Sequence, residues 1–301
     1  SGDLTRYAGE FYPFPPTPIE PGYSLLAAPV YWLAGILPGV GLLHAVWLVN
    51  VALVAALALL MMRYSVLLGY GERVGIIAAL LLGLTTILWP YTRVFMREPL
   101  LALLLLLTAY TLEQARRGRP VWLILGVMAY AAAIFTKVEV LVLLPALAII
   151  GAPPLLAGRR WRRIADGLLV LVLAVVVFLA YVDVLPTLLG EGRVAVPGTS
   201  HFVIPEFFQT ALHSYLISPN VSLWASSPML LLAVPGAWLL IRADRRRYVW
   251  AMVLAVIGFA AGHALVTGVH WFAGATLPPR FLIPVIPFVL LVMLPVVDRV
   301  L

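Results

Sequence analysis

Long apolar runs joined by short arginine-rich links constrain this chain more than any other feature. A helix needs about 20 mainly apolar residues to cross roughly 30 Å of hydrocarbon, and nine runs approach that length: 40–62, 74–90, 98–112, 120–137, 138–156, 164–186, 226–242, 248–269 and 280–297. The surroundings cannot be water. Of the 301 residues 63% are hydrophobic and 11% charged, against roughly 45–50% and about 25% in soluble domains. Inside lipid every backbone N–H and C=O must be bonded within the chain, which favours helices where apolar runs have this length. The expectation is an all-α, polytopic transmembrane helical bundle of about nine spanning helices, forming one domain over 1–301.

The stretch 120–156 carries Lys137 and Glu139 at its middle. As one helix it would measure about 55 Å at 1.5 Å per residue, so it is expected to turn back near those charges. The piece 22–38 holds Pro29 and Pro38 and follows the proline-rich Pro13–Pro21. It is too short and broken to span, and is placed along the membrane surface. Two segments, 1–39 and 187–225, are long and rich in proline, aromatics and histidine. The chain opens Ser1-Gly2-Asp3 and stops at Leu301 directly after an apolar run, and it is read as a fragment lacking a first transmembrane helix.

Charge orders these runs. If successive links alternate between two sides, Arg63, Arg73, Arg116, Arg117, Arg119, Arg159, Arg160, Arg162, Arg163, Arg242, Arg245, Arg246, Arg247 and Arg299 fall together. The positive-inside rule makes that face cytoplasmic. It also explains the net charge of +7 without nucleic acid, which is not expected as a partner. The other face holds Arg6, Arg93, Arg97, Lys137, Arg193 and Arg280, with Asp3, Glu10, Glu20, Glu98, Glu139, Asp183, Glu191 and Glu206. Chemistry is sought on that face, in a location expected to be a prokaryotic plasma membrane with the site on the non-cytoplasmic side.

With no cysteine, disulfides, thiolate metal sites and cysteine nucleophiles are excluded. No P-loop, Rossmann glycine pattern, HExxH or GxSxG is present, and no histidine has zinc-motif spacing. Gly258–Gly262 forms GxxxG, a close helix-packing signal. Asp3 stands in an acidic outer segment with Arg6, Tyr7, Glu10 and Glu20, where a carboxylate can act as a general base toward a hydroxyl. Glu98 opens an apolar run just ahead of Pro99. It can serve the helix dipole, or it can face a cavity together with Arg93 and Arg97. Lys137 can neutralise Glu139 or reach a phosphate. Arg280 opens the last run after His270 and Trp271, suited either to snorkelling or to a bidentate grip on phosphate.

Several segments together resemble the GT-C superfamily of membrane glycosyltransferases, which includes protein O-mannosyltransferases and aminoarabinose transferases. They are the Asp3 segment, Pro15-Pro-Thr-Pro-Ile-Glu-Pro-Gly-Tyr-Ser-Leu-Leu-Ala-Ala-Pro-Val-Tyr, Arg93–Leu100, Phe135-Thr-Lys137, Ser214–Pro228 and Trp271–Pro287. The resemblance implies sugar transfer from a polyprenyl-phosphate carrier to a hydroxyl of a glycan, lipid or protein acceptor, with inversion. It implies a catalytic acid in the first outer loop, matched by Asp3, and often a second opening a later helix, matched by Glu98. The usual acidic pair in that loop is missing, because Leu4 follows Asp3, which leaves the second carboxylate open among Glu10, Glu20 and Glu98. Arg280, Lys137 and Arg93 are expected on the donor phosphate, and Arg6, Tyr7, Glu20, His270 and Trp271 on the substrates. A divalent metal, Mg or Mn, held by Glu98 can share the neutralisation, although such ions want several oxygen ligands. Besides donor and acceptor, membrane lipids are the expected partners. The main alternative is a transporter or flippase of lipid-linked glycans, which should carry charges at mid-membrane rather than at the ends of the runs.

Overall fold

The computed structural model describes residues 21–151, 205–267 and 279–301, and they form helices throughout. Helix α1 (Gly22–Ile36) is followed by α2 (Leu42–Leu67), α3 (Glu72–Leu84), the single turn α4 (Leu88–Tyr91), α5 (Glu98–Arg116) and α6 (Val121–Thr136). A 3-10 segment, Val138–Leu143, runs into α7 (Leu144–Gly151). After the gap come α8 (Pro205–Leu216), α9 (Leu223–Ser226), a 3-10 segment Pro228–Leu232 leading into α10 (Ala233–Arg242), and α11 (Arg246–Thr267). A last 3-10 segment, Arg280–Val285, continues as α12 (Ile286–Val300).

Three helical stretches are long and apolar enough to cross a membrane: Leu42–Leu67, Arg246–Ala264 and Arg280–Val300. The expected count of nine is therefore not met among the described residues, and local chemistry explains the shortfall. In run 74–90, α3 stops at Leu84 because the Thr85 and Thr86 hydroxyls fold back onto the Leu81 and Leu82 carbonyls. Run 98–112 forms a 19-residue helix that also takes in Glu98, Glu113 and Arg116. Runs 120–137 and 138–156 are interrupted at Lys137, whose extended backbone (φ −162°, ψ 113°) ends α6 after 16 residues. Run 226–242 begins as a 3-10 segment at Pro228. Run 164–186 lies outside the described residues.

The chain does reverse at Lys137. Gly126 on α6 lies against Thr111, and Gly151 at the end of α7 lies against Leu112, so both helices return to the same level of α5. Helix α1, at 15 residues with Pro29 inside, reaches only about 22 Å and is too short to span. Its Leu25, Leu26, Tyr31, Trp32, Leu33 and Ile36 are exposed, while Tyr23, Ala27 and Ala34 pack inward. Such an apolar outer face suits a membrane interface.

The last helix is the core of the bundle. No ionisable residue stands between Arg280 and Asp298, and a helix apolar on every side belongs inside. Within its spanning window 83% of residues are buried, against 39% in Leu42–Leu67. Gly236 lets α10 approach so closely that a Cβ there would run into the Val292 carbonyl oxygen. The GxxxG glycines of α11 act as expected, seating Val142 against Gly258 and Gly262.

One end of the bundle gathers arginine. Gly69 and Gly118 follow α2 and α5 with φ of 94° and 88°, the left-handed geometry that ends a helix and that glycine adopts without strain. Beside those turns, Arg245 donates to the Leu68 carbonyl (3.0 Å), and Arg247 reaches Glu113 near the end of α5. The candidate site forms at the opposite end.

Candidate functional site

The site is assembled around the N-terminus of α5. The loop before it, 92–97, has no regular structure of its own and is anchored from α2. Asn50, fully buried, points its amide at the carbonyls of Val94 (2.6 Å), Met96 (2.9 Å) and Tyr91 (3.2 Å). Its carbonyl accepts from the Tyr23 hydroxyl at 2.8 Å. Burial first, and the Glu98 charge after it, push the Tyr23 phenol far above its ordinary range, so it stays a donor. One amide thus joins α1, α2 and the loop that delivers Arg97 and Glu98.

Glu98 and Lys137 are both 3% exposed. Arg280 reaches them from the start of the last helical segment, its Nε 3.7 Å from Glu98 Oε1. That distance is an ion pair and not a hydrogen bond. Among the described residues Glu98 Oε2 and Arg280 Nε have no hydrogen-bond partner at all. Arg280 Nη1 donates only to the weak acceptor Met96 Sδ, at 3.3 Å.

Phe281 forms the floor. Lys137 Nζ lies 4.7 Å and Arg280 Cζ 5.1 Å from its ring centroid, where the electron-rich face attracts both cations. His263 stacks on the same ring at 4.5 Å and 10°. The charged neighbours of Lys137 are Glu139, Glu98, Arg97 and Arg280. Among the described residues, three cations face two carboxylates, leaving one positive charge in excess.

Glu98, Lys137 and Arg280, picked from separate parts of the sequence, therefore meet. Arg93 does not join them: it is exposed and forms no ion pair with a described residue. Asp3, Arg6, Tyr7, Glu10, Glu20, His270 and Trp271 lie outside the described residues. Gly22 packs against the end of α6, where a Cβ would meet Thr136 Oγ1 at 2.7 Å and its Cα at 2.9 Å, so α1 begins beside Lys137. Sequence reasoning missed Asn50 as an anchor and His263 as a neighbour of the charges. The one amide within run 40–62 was the available signal, because a polar group in such a run needs partners.

For a divalent ion, the described residues beside Glu98 supply cations and one further carboxylate, Glu139. No group of three or more His, Asp or Glu comes together among them. Further oxygen ligands would have to come from residues beyond those described. No protein-family model, curated protein or solved structure matches the chain.

Proposed function

We propose that this protein is an integral membrane glycosyltransferase, taking a sugar from a polyprenyl-phosphate carrier to a hydroxyl of a glycan, lipid or protein acceptor on the non-cytoplasmic side. One observation carries the reading. Among the described residues at this helix-end level, Arg97, Lys137 and Arg280 outnumber Glu98 and Glu139 by one charge, and the Arg280 Nε–H has no hydrogen-bond partner. A sugar phosphodiester has one negative charge, which that excess balances. When the bond between the sugar's anomeric carbon and the phosphate oxygen breaks, charge grows on the phosphate. Fixed cations in a water-poor site stabilise the breaking bond more than the intact one.

The acceptor oxygen attacks the anomeric carbon from the face opposite the phosphate and passes its proton to a carboxylate, giving inversion. Asp3 is the proposed base. Glu98 holds Arg280 in position by charge without consuming its hydrogen bonds. Lys137 and Arg280 take the departing phosphate, with a divalent metal as a further possible source of neutralisation. A GT-C-like helical bundle and the prokaryotic plasma membrane belong to this proposal.

The test is to incubate purified protein with polyprenyl-phosphate sugars and candidate hydroxyl acceptors and to follow release of polyprenyl phosphate. Transfer is expected, and Asp3→Asn should lower turnover by roughly 10²-fold or more while the protein stays folded. Movement of the intact lipid-linked sugar across vesicles, without cleavage, would replace this reading with a flippase.

A further inference from the structure

The arginine-rich end offers a second anion site, independent of the first. Glu113 near the end of α5 is fully buried and receives three guanidiniums. Arg116 grips it through Nε (3.1 Å) and Nη2 (2.5 Å), Arg117 donates from Nε at 2.9 Å, and Arg247 of α11 donates from Nη2 at 3.1 Å. A carboxylate has about four lone-pair sites, whereas each guanidinium carries five N–H donors. Most of those donors are therefore turned elsewhere, and the cluster keeps two positive charges in excess. The Arg117 and Arg247 side chains are 40% and 28% exposed. Asp244, the acid beside this turn, pairs with Arg246 at 3.3 Å.

An apolar groove of about 540 Å³ runs between α6 and α7 along α5. Thr108 and Leu112 of α5 line it, with Val127 and Tyr130 on one wall and Leu147 and Ala148 on the other. Thr108, Leu112 and Arg116 are spaced four apart and share one face of α5, so Arg116 stands one helical turn beyond the Leu112 end of the groove. A fatty chain beneath and a phosphate above are two halves of one molecule.

We infer that this end binds an anionic phospholipid, its phosphodiester held by Arg116, Arg117 and Arg247 and an acyl chain lying in the α6–α7 groove. An apolar groove that ends one turn short of the cations selects a lipid over a soluble phosphate. The site needs no sugar chemistry, so it stands or falls apart from the proposed transfer reaction.

The test uses the full chain in nanodiscs of phosphatidylcholine with graded phosphatidylglycerol, reading retained lipid by native mass spectrometry and stability by thermal unfolding. Phosphatidylglycerol should be preferred roughly thirtyfold, from two net charges at the surface, and Arg117→Gln should cut that preference about fivefold. Ala148→Phe, which fills the groove while leaving the cations, should also release the lipid. Glu113→Gln should make stability depend more steeply on phosphatidylglycerol, because the lipid phosphate then stands in for the lost carboxylate. Equal stability and retention in both lipids would overturn the inference, as would an Arg117→Gln protein that keeps the full preference. Inorganic phosphate stabilising the protein in pure phosphatidylcholine as well as phosphatidylglycerol does would overturn the lipid assignment.

Discussion

Asn50 is where one substitution should test how the site is held. Its NH₂ group has two hydrogens, so of the three nearby carbonyls the Val94 (2.6 Å) and Met96 (2.9 Å) contacts are the ones it serves best. With the Tyr23 bond, Asn50→Ala removes three hydrogen bonds. Inside membrane proteins such bonds average about 0.6 kcal/mol and reach about 1.7, while a buried group left without a partner costs about 1–3 kcal/mol. Some orphaned carbonyls will find water at this helix-end level, so the loss should total about 2–4 kcal/mol. Asn50→Asp discriminates better than alanine. It keeps the shape, removes both donors and aims a carboxylate at carbonyl oxygens, so it should destabilise at least as much. The assay is thermal unfolding in detergent combined with limited proteolysis of the 92–97 loop, which should be cut faster in both variants. An Asn50→Asp protein that melts with the parent and resists protease equally would refute the anchoring role.

Other substitutions probe packing, charge and the phosphate contact. Gly236→Ala should cost about 1–3 kcal/mol, seen as a lower melting temperature, because the backbone oxygen of Val292 cannot rotate away from the new methyl. Burial alone would raise the Glu113 carboxyl, but Arg116, Arg247 and Arg117 outweigh it and hold the group below its ordinary value. A depressed folded-state value gives stability that is present above the unfolded value of about 4.3 and lost as pH falls through the folded one; melting curves at graded acid pH should show this, and Glu113→Gln should abolish that part of the dependence. Arg280→Ala should lower kcat/KM for the lipid donor by roughly tenfold or more, with Arg280→Lys in between, since an ammonium lacks the planar fork. A lysine variant equal to the parent would assign Arg280 to snorkelling instead.

What could be read from the sequence was the helical class, because apolar runs of this length must bond their backbone internally, and the reversal near Lys137. The count of spans could not, because hydropathy is blind to how a helix breaks. Thr85 and Thr86 look neutral in a hydropathy window, yet their hydroxyls end α3. Lys137 marked a turn, but only coordinates reveal that its extended backbone leaves both flanking helices short. In the site, Glu98, Lys137 and Arg280 stood out as ionisable residues at helix ends. Their meeting depends on α5, α6 and the last helix converging, a tertiary fact with no local pattern. Asn50 was visible as an amide in an apolar run, but its partners, the Tyr91 carbonyl at the end of α4, the loop carbonyls of Val94 and Met96, and the Tyr23 hydroxyl, were not.

Helix α5 shows why the two charged ends do different work. From Glu98 to Arg116 it rises about 27 Å, so the two charged clusters lie at opposite ends of one helix. At one end Glu113 has both oxygens bonded, and its arginines hold α5 and α11 together. At the other, Glu98 and Arg280 are paired by charge alone, with Oε2 and Nε unbonded among the described residues. Burying an ion pair is costly even when its hydrogen bonds are complete, and costlier when they are not. Stability alone would favour closing that gap or replacing the pair with apolar side chains. The open Arg280 Nε–H beside Lys137 and the Phe281 ring is instead suited to a partner that brings its own acceptor oxygens, as the proposed donor phosphate does.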